Sequence, residues 1–114
     1  MNVFGIIGWK NSGKTGLVER LVSELTRRGF SVSTLKHAHH SFDVDHHGKD
    51  SHRHRVAGAS QVLISSAERS ALMTEFGGSK EPSLQTLLSK MEPVDVILIE
   101  GWKCDTHPKI ETWR

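Results

Sequence analysis

Gly8, Gly13, Lys14 and Thr15 stand in the stretch GWKNSGKT at the spacing G-x-x-x-x-G-K-[ST], and these residue types at this spacing make a phosphate-binding loop. Glycines at 8 and 13 let the backbone adopt conformations that a side chain forbids, so that successive N–H groups surround an anion. The loop runs through Gly8, Trp9, Lys10, Asn11, Ser12, Gly13, Lys14 and Thr15. The helix that starts near Lys14 adds the positive end of its dipole. Lys14 is expected to reach the β- and γ-phosphates of a nucleoside triphosphate, and the Thr15 hydroxyl to sit on Mg²⁺. Gly16 falls in the first turn of that helix. It is a poor helix former by about 1 kcal/mol against Ala, and close backbone packing is the expected reason for it.

A second acidic cluster would serve the same chemistry. The apolar run VDVILI ends in Glu100-Gly101. In open α/β sheets ligands bind at the carboxyl ends of the strands, so Glu100 is expected there as the catalytic carboxylate, holding a Mg²⁺ water or orienting an attacking water. Gly101 is expected to offer its N–H to a γ-phosphate.

A third cluster is KHAHHSFDVDHHGKDSHRHR, which holds histidines 37, 39, 40, 46, 47, 52 and 54 among Asp43, Asp45 and Asp50. Three readings stand. Imidazole and carboxylate together suit Zn²⁺ or Ni²⁺, although the stretch has no cysteine and no known ligand spacing. A switch-like loop after the second strand would instead bring Asp45 or Asp50 to Mg²⁺ and basic groups to phosphate. The third reading is a plain solvated loop.

The elements that must position these groups follow from pattern. Val3 to Ile7 is apolar and β-rich, as a buried parallel strand should be. Leu17, Val18, Leu21, Val22 and Leu25 recur at helical spacing, and Arg27, Arg28 and Gly29 close that helix. A second strand is expected at Ser31 to Leu35, then a polar loop over 36–50 and a short helix over 51–59. Gln61 to Ser65 and Ser70 to Thr74 read as a hairpin about Ala67-Glu68-Arg69, which would make the sheet mixed. Gly77-Gly78-Ser79 is a turn. Ser83 to Met91 is an amphipathic helix, and Val94 to Ile99 the most apolar strand. The fold class expected is α/β: the three-layer fold of P-loop NTPases, with a mostly parallel sheet and one antiparallel hairpin.

Composition narrows the partners. At 114 residues the chain reads as one nucleotide-binding domain over 1–114. A formal net charge of +2, with no strongly basic run, argues against a nucleic-acid groove. The single Cys104 rules out an internal disulfide and fits a reducing compartment. No apolar run reaches membrane length, and the first strand begins too early for a signal peptide. A soluble, cytoplasmic protein is expected.

The combination of GWKNSGKT, LKHAHHSFDVDHHGKDSHRHRVAGA, VILIEGWK and HPKIETWR resembles the molybdopterin-guanine dinucleotide biosynthesis protein B (MobB) family over essentially the whole chain. The resemblance implies a P-loop GTP-binding protein with weak GTPase activity, using GTP and Mg²⁺. It further implies a homodimer that assists the guanylyltransferase attaching GMP to molybdopterin. Carried across, the phosphate loop falls on Gly8 to Thr15, the acidic strand end on Glu100, and the His/Asp signature on Lys36 to Arg55. Relatives are expected to continue past Arg114 with further sheet and helix, so the C-terminus reads as truncated. No N-K-x-D guanine signature is present; Lys103-Cys104-Asp105 matches only its tail, and Trp9 stands where related phosphate loops carry a second lysine. Guanine preference therefore rests on the resemblance. Two alternatives use the same residues: a small-molecule P-loop kinase, with Arg53, Arg55 and Arg69 clamping phosphate, and a nucleotide-gated metal chaperone built on the histidine loop.

Overall fold

A strand that is apolar on both sides needs cover on both faces, and the run VILI over 96–99, inside the central sheet, is such a strand. The structure is a computed structural model and describes residues 2–8, 13–38, 49–78, 80–102 and 109–112. In chain order the elements are β1 (Asn2–Gly8), α1 (Lys14–Arg27), β2 (Val32–Lys36), α2 (Asp50–Val56), β3 (Gln61–Ser65), β4 (Ser70–Thr74), α3 (Leu84–Ser89), β5 (Val96–Glu100) and β6 (Lys109–Thr112). They form two compact units, one of Met1–His40 with Leu84–Arg114 and one of Ser41–Ser83.

In the first unit the strand order is β2-β5-β1-β6, and every neighbouring pair is parallel. The period of two along β5 sorts the core into two layers. Val96 and Leu98 join Ile6 and Val18 on one face, where Leu17, Leu21, Val22 and Leu25 of α1 cover them. Ile97 and Ile99 face the other way and join Leu84, with Leu88, Met91 and Trp102 packed against them. Helix, sheet, helix is thus written into alternate residues of one strand. Ile6, Ile97 and Ile99 are fully buried, each stabilising by about 1.5–3 kcal/mol relative to exposure.

The second unit holds α2 and the β3–β4 hairpin, in register from Gln61↔Thr74 to Ser65↔Ser70. The hairpin forms its own two-stranded sheet, so the expected mixed sheet is corrected: the four-stranded sheet is wholly parallel. The short link needs only its two strands, since the Ser66 N–H closes on the Arg69 carbonyl at 2.9 Å. Arg55 of α2 reaches Glu75 just beyond β4 at 3.1 Å.

Other departures are small. β5 starts at Val96 rather than Val94, because the Asp95 side chain turns to bond Ser31. α3 is shorter than expected and ends in turn-type bonds from the Lys90 and Met91 N–H groups to Leu87 and Leu88. β6 was not expected. Its sequence KIET carries a charge at every second residue, which suits a sheet edge and hides the strand from an apolar-run criterion.

Candidate functional site

The site is assembled at the carboxyl ends of β1 and β5. β1 ends at Gly8, the first loop glycine, and Gly13 is the N-cap of α1 with φ 93°, in the left-handed region that favours glycine. Gly13 offers no side-chain cap, and the first turn of α1 holds no acidic residue. The first intrahelical bond runs from the Leu17 N–H to the Gly13 carbonyl at 3.0 Å. The N–H groups of the opening turn therefore carry no side-chain cap at the point where a phosphate would gather them. Trp9, Lys10, Asn11 and Ser12 lie outside the described residues. Lys14, the first residue of the helix, is half-buried.

Glu100 is the last residue of β5. It lies on the face of the sheet that α1 covers, following the alternation of Val96 and Leu98. There the Thr15 hydroxyl donates to Glu100 Oε1 at 2.9 Å. Two residues 85 positions apart in the chain are thus joined, one from the phosphate loop and one from the acidic strand end. A hydroxyl and a carboxylate together are the hard oxygen donors that suit Mg²⁺. Lys36, the last residue of β2, is the register partner of Glu100. Sequence reasoning gave Lys36 no role of its own; its cue would have been its place at the carboxyl end of a strand.

Two expectations are corrected here. The Gly101 N–H donates to the Ile6 carbonyl at 2.9 Å, so it is engaged in the sheet end rather than offered to a phosphate. At Gly16 no backbone atom approaches: among the described residues, the only atom near the position of an added Cβ is a guanidinium nitrogen of Arg20, at 3.5 Å.

Asp50 opens α2 in the second unit, and Asp45 lies outside the described residues, as do histidines 39, 40, 46 and 47. Of the rest of that loop, His52 and His54 lie on α2, and His37 follows β2. Among the described residues no three His, Cys, Asp or Glu side chains converge on a common point. None of the described helices is long and apolar enough to cross a membrane.

This geometry agrees with what the chain resembles. The family described as MobB, molybdopterin guanine dinucleotide synthesis protein B, matches residues 3–114. The molybdopterin-guanine dinucleotide biosynthesis adapter protein of Escherichia coli (strain K12) is 44% identical over 108 residues, covering 93% of this chain and 62% of that protein. Its counterpart from Haemophilus influenzae is 44% identical over 110 residues, covering 95% and 61%. The crystal structure of Bacillus subtilis MobB superposes with a TM-score of 0.80 at 28% identity, covering 98% of this chain and 68% of that one. The MobB homolog from Bacillus stearothermophilus gives 0.73 at 27%, covering 100% and 65%. The chain spans less than two thirds of the length of the two curated relatives.

Proposed function

The chain belongs to the molybdopterin guanine dinucleotide synthesis protein B (MobB) family, and from that premise we propose that it is a GTP-binding adapter in molybdopterin guanine dinucleotide biosynthesis, at most a slow GTPase. The observation that carries the reading is the Thr15–Glu100 hydrogen bond beside the uncapped start of α1. It unites a phosphate loop and an acidic strand end, as a triphosphate site requires. Gly8 to Gly16 would hold the phosphates, with Lys14 as the charge-assisted partner of the β and γ oxygens. Mg²⁺ would be held by Thr15 and Glu100 and would neutralise phosphate charge when bound. The working protein is a cytoplasmic homodimer that acts with the guanylyltransferase on molybdopterin. Residues 1–114 form its nucleotide-binding domain.

Slow hydrolysis follows from the residues at hand. Gln61 lies on β3 and Gln85 on α3, both far along the chain from either phosphate motif, and neither GWKNSGKT nor VILIEGWK contains an arginine. Help of that kind is worth roughly 10³–10⁵ in rate, and a nucleotide-loaded adapter does not need it. Calorimetry of GTP, GDP and ATP binding to the chain and to Lys14→Ala is the test. The variant should fold and lose roughly ten- to a hundredfold in triphosphate affinity, the worth of one charge-assisted contact. Unchanged affinity would overturn the reading. In reconstitution with a guanylyltransferase, the intact chain should raise guanylylated cofactor yield and Lys14→Ala should not. Stoichiometric phosphoryl transfer to an acceptor would favour a kinase instead, and nucleotide-dependent Ni²⁺ or Zn²⁺ binding a metal chaperone.

A further inference from the structure

The backbone that carries Glu100 is fixed on three sides. Its carbonyl accepts the His37 N–H at 3.0 Å, from the chain just beyond β2. The next N–H, of Gly101, donates to the Ile6 carbonyl of β1 at 2.9 Å. Gly101 then takes φ +92°, a conformation that other residues rarely adopt. This turn breaks the alternation of the strand. Glu100 and Trp102, which an unbroken strand would send to the same face, go to opposite ones: Glu100 to Thr15 on the α1 side, Trp102 to the core cluster of Leu84, Ile97 and Ile99 on the α3 side. On that side the Trp102 indole meets the His37 imidazole, with ring centroids 4.5 Å apart and planes tilted by 40°. The His37 carbonyl lies 3.5 Å from where a Cβ of Gly101 would stand, so the two chain segments are in contact through backbone as well as rings.

We propose that the His37–Trp102 pair is a brace that sets the direction of the Glu100 carboxylate, making both residues positioning residues of the magnesium–phosphate site. The proposal rests on the reading of Thr15 and Glu100 given above. Its physical content is that a strand end frays unless something beyond it is anchored. Trp102 is the anchor, through its packing on the cluster of Leu84, Ile97 and Ile99, and the imidazole tilted against it ties β2 to the same point. Neither ring needs to touch the ligand. A ring contact of this kind stabilises beyond the area it buries, and so favours one carboxylate direction over several.

The test is calorimetry with a non-hydrolysable GTP analogue, with and without Mg²⁺. The quantity read is the ratio of the two affinities. Trp102→Ala should reduce that ratio roughly tenfold, the lower end of what the outer partners of a metal site contribute, while the Mg²⁺-free affinity stays as it was. Trp102→Phe and His37→Phe, which keep a ring on each side, should restore most of it. In a Glu100→Gln background Trp102→Ala should change nothing further, since it acts only through that carboxylate. An unchanged ratio in folded Trp102→Ala overturns the brace, and so does an equal fall with and without Mg²⁺. If Trp102→Ala fails to fold, His37→Ala carries the same test. Failure of the brace leaves the Lys14→Ala loss standing, whereas failure of the phosphate reading removes that loss as well.

Discussion

The amino and carboxyl ends of the parallel sheet are both closed by an acidic residue of the β5 segment bonded to a hydroxyl side chain, yet the two closures differ in kind. At the amino end Asp95 Oδ2 accepts from the Ser31 N–H at 2.8 Å and from its hydroxyl at 3.1 Å. The Ser31 hydroxyl in turn accepts the Asp95 N–H at 2.8 Å. The Asp95 carbonyl takes the Asn2 N–H at 3.1 Å, and the Ser31 carbonyl takes the Val96 N–H at 3.1 Å. Three strands are pinned by one reciprocal knot whose donors, the Ser31 hydroxyl apart, are backbone N–H groups. At the carboxyl end, the Glu100 carboxylate has among the described residues a single partner, the rotatable hydroxyl of Thr15. A carboxylate bonded to a fixed backbone N–H as well as to a hydroxyl is tied to the strand ends. One held by a hydroxyl alone can exchange that partner for a cation, because the hydroxyl then turns a lone pair to the same ion. The comparison separates an acid that builds the sheet from an acid that the sheet presents.

The largest effect that would break this comparison comes from Thr15→Val, which keeps the shape and removes the hydroxyl. We expect the gain in nucleotide affinity on adding Mg²⁺ to fall by about tenfold, equivalent to about 1.4 kcal/mol, with little change in Mg²⁺-free affinity or in the thermal midpoint. Calorimetry with and without Mg²⁺ reads this directly. If both affinities fall together, Thr15 is a packing residue and the carboxyl end is no different in kind from the amino end.

The converse substitution is Asp95→Ala. It should lower the thermal midpoint and leave the Mg²⁺ ratio untouched, and its effect should depend on pH. The Ser31 N–H first, and its hydroxyl second, hold the Asp95 carboxyl below the usual carboxylate range. The folded state therefore binds this proton less readily than the unfolded one. The stabilisation is complete above the unfolded value, about 3.9, and is lost as pH falls through the lower folded value. The midpoints of the parent chain and of Asp95→Ala, measured from pH 7 down to pH 2, should differ most at neutral pH and converge in acid. Curves that stay parallel throughout would show that the carboxylate charge is irrelevant at this end. Ser31→Ala should be strongly non-additive with Asp95→Ala, since each breaks the same knot.

The difference between the ends also marks what was legible in the sequence. The strand end at Gly8, α1 and the place of Glu100 at the end of β5 could be read because each is a local pattern: a glycine closing an apolar run, apolar residues every three or four positions, and an acid closing an apolar run. The sorting of Val96, Leu98 and Glu100 to one face and Ile97 and Ile99 to the other follows from the same period of two. The amino-end knot could not be read, since Ser31 and Asp95 are 64 residues apart and neither stands in a motif. The His37–Trp102 contact is equally non-local. Gly101 misled for a physical reason: a glycine after a strand-end acid looks like a free N–H donor, and only the register of β1 against β5 reveals that Ile6 has taken it. The separate hairpin was hidden too, because pattern gives strand pairing between neighbours in sequence but not which sheet they join.

The smallest effect sharpens the comparison from the side of stability. If the amino end is built to hold and the carboxyl end to bind, stability should still be recoverable at the carboxyl end, where natural sequences give it up for function. Gly16 is the position to ask. It is helical, and among the described residues an added methyl would meet only the Arg20 guanidinium at 3.5 Å, an ordinary contact with the movable end of a side chain. Gly16→Ala should therefore stabilise α1 by about 0.5–1 kcal/mol, the difference between the two residues inside a helix. Urea unfolding at fixed slope would show it as a higher midpoint. A lower midpoint would mean that the first turn of α1 is packed as tightly as the amino-end knot, and the division of labour between the two ends would not extend to stability.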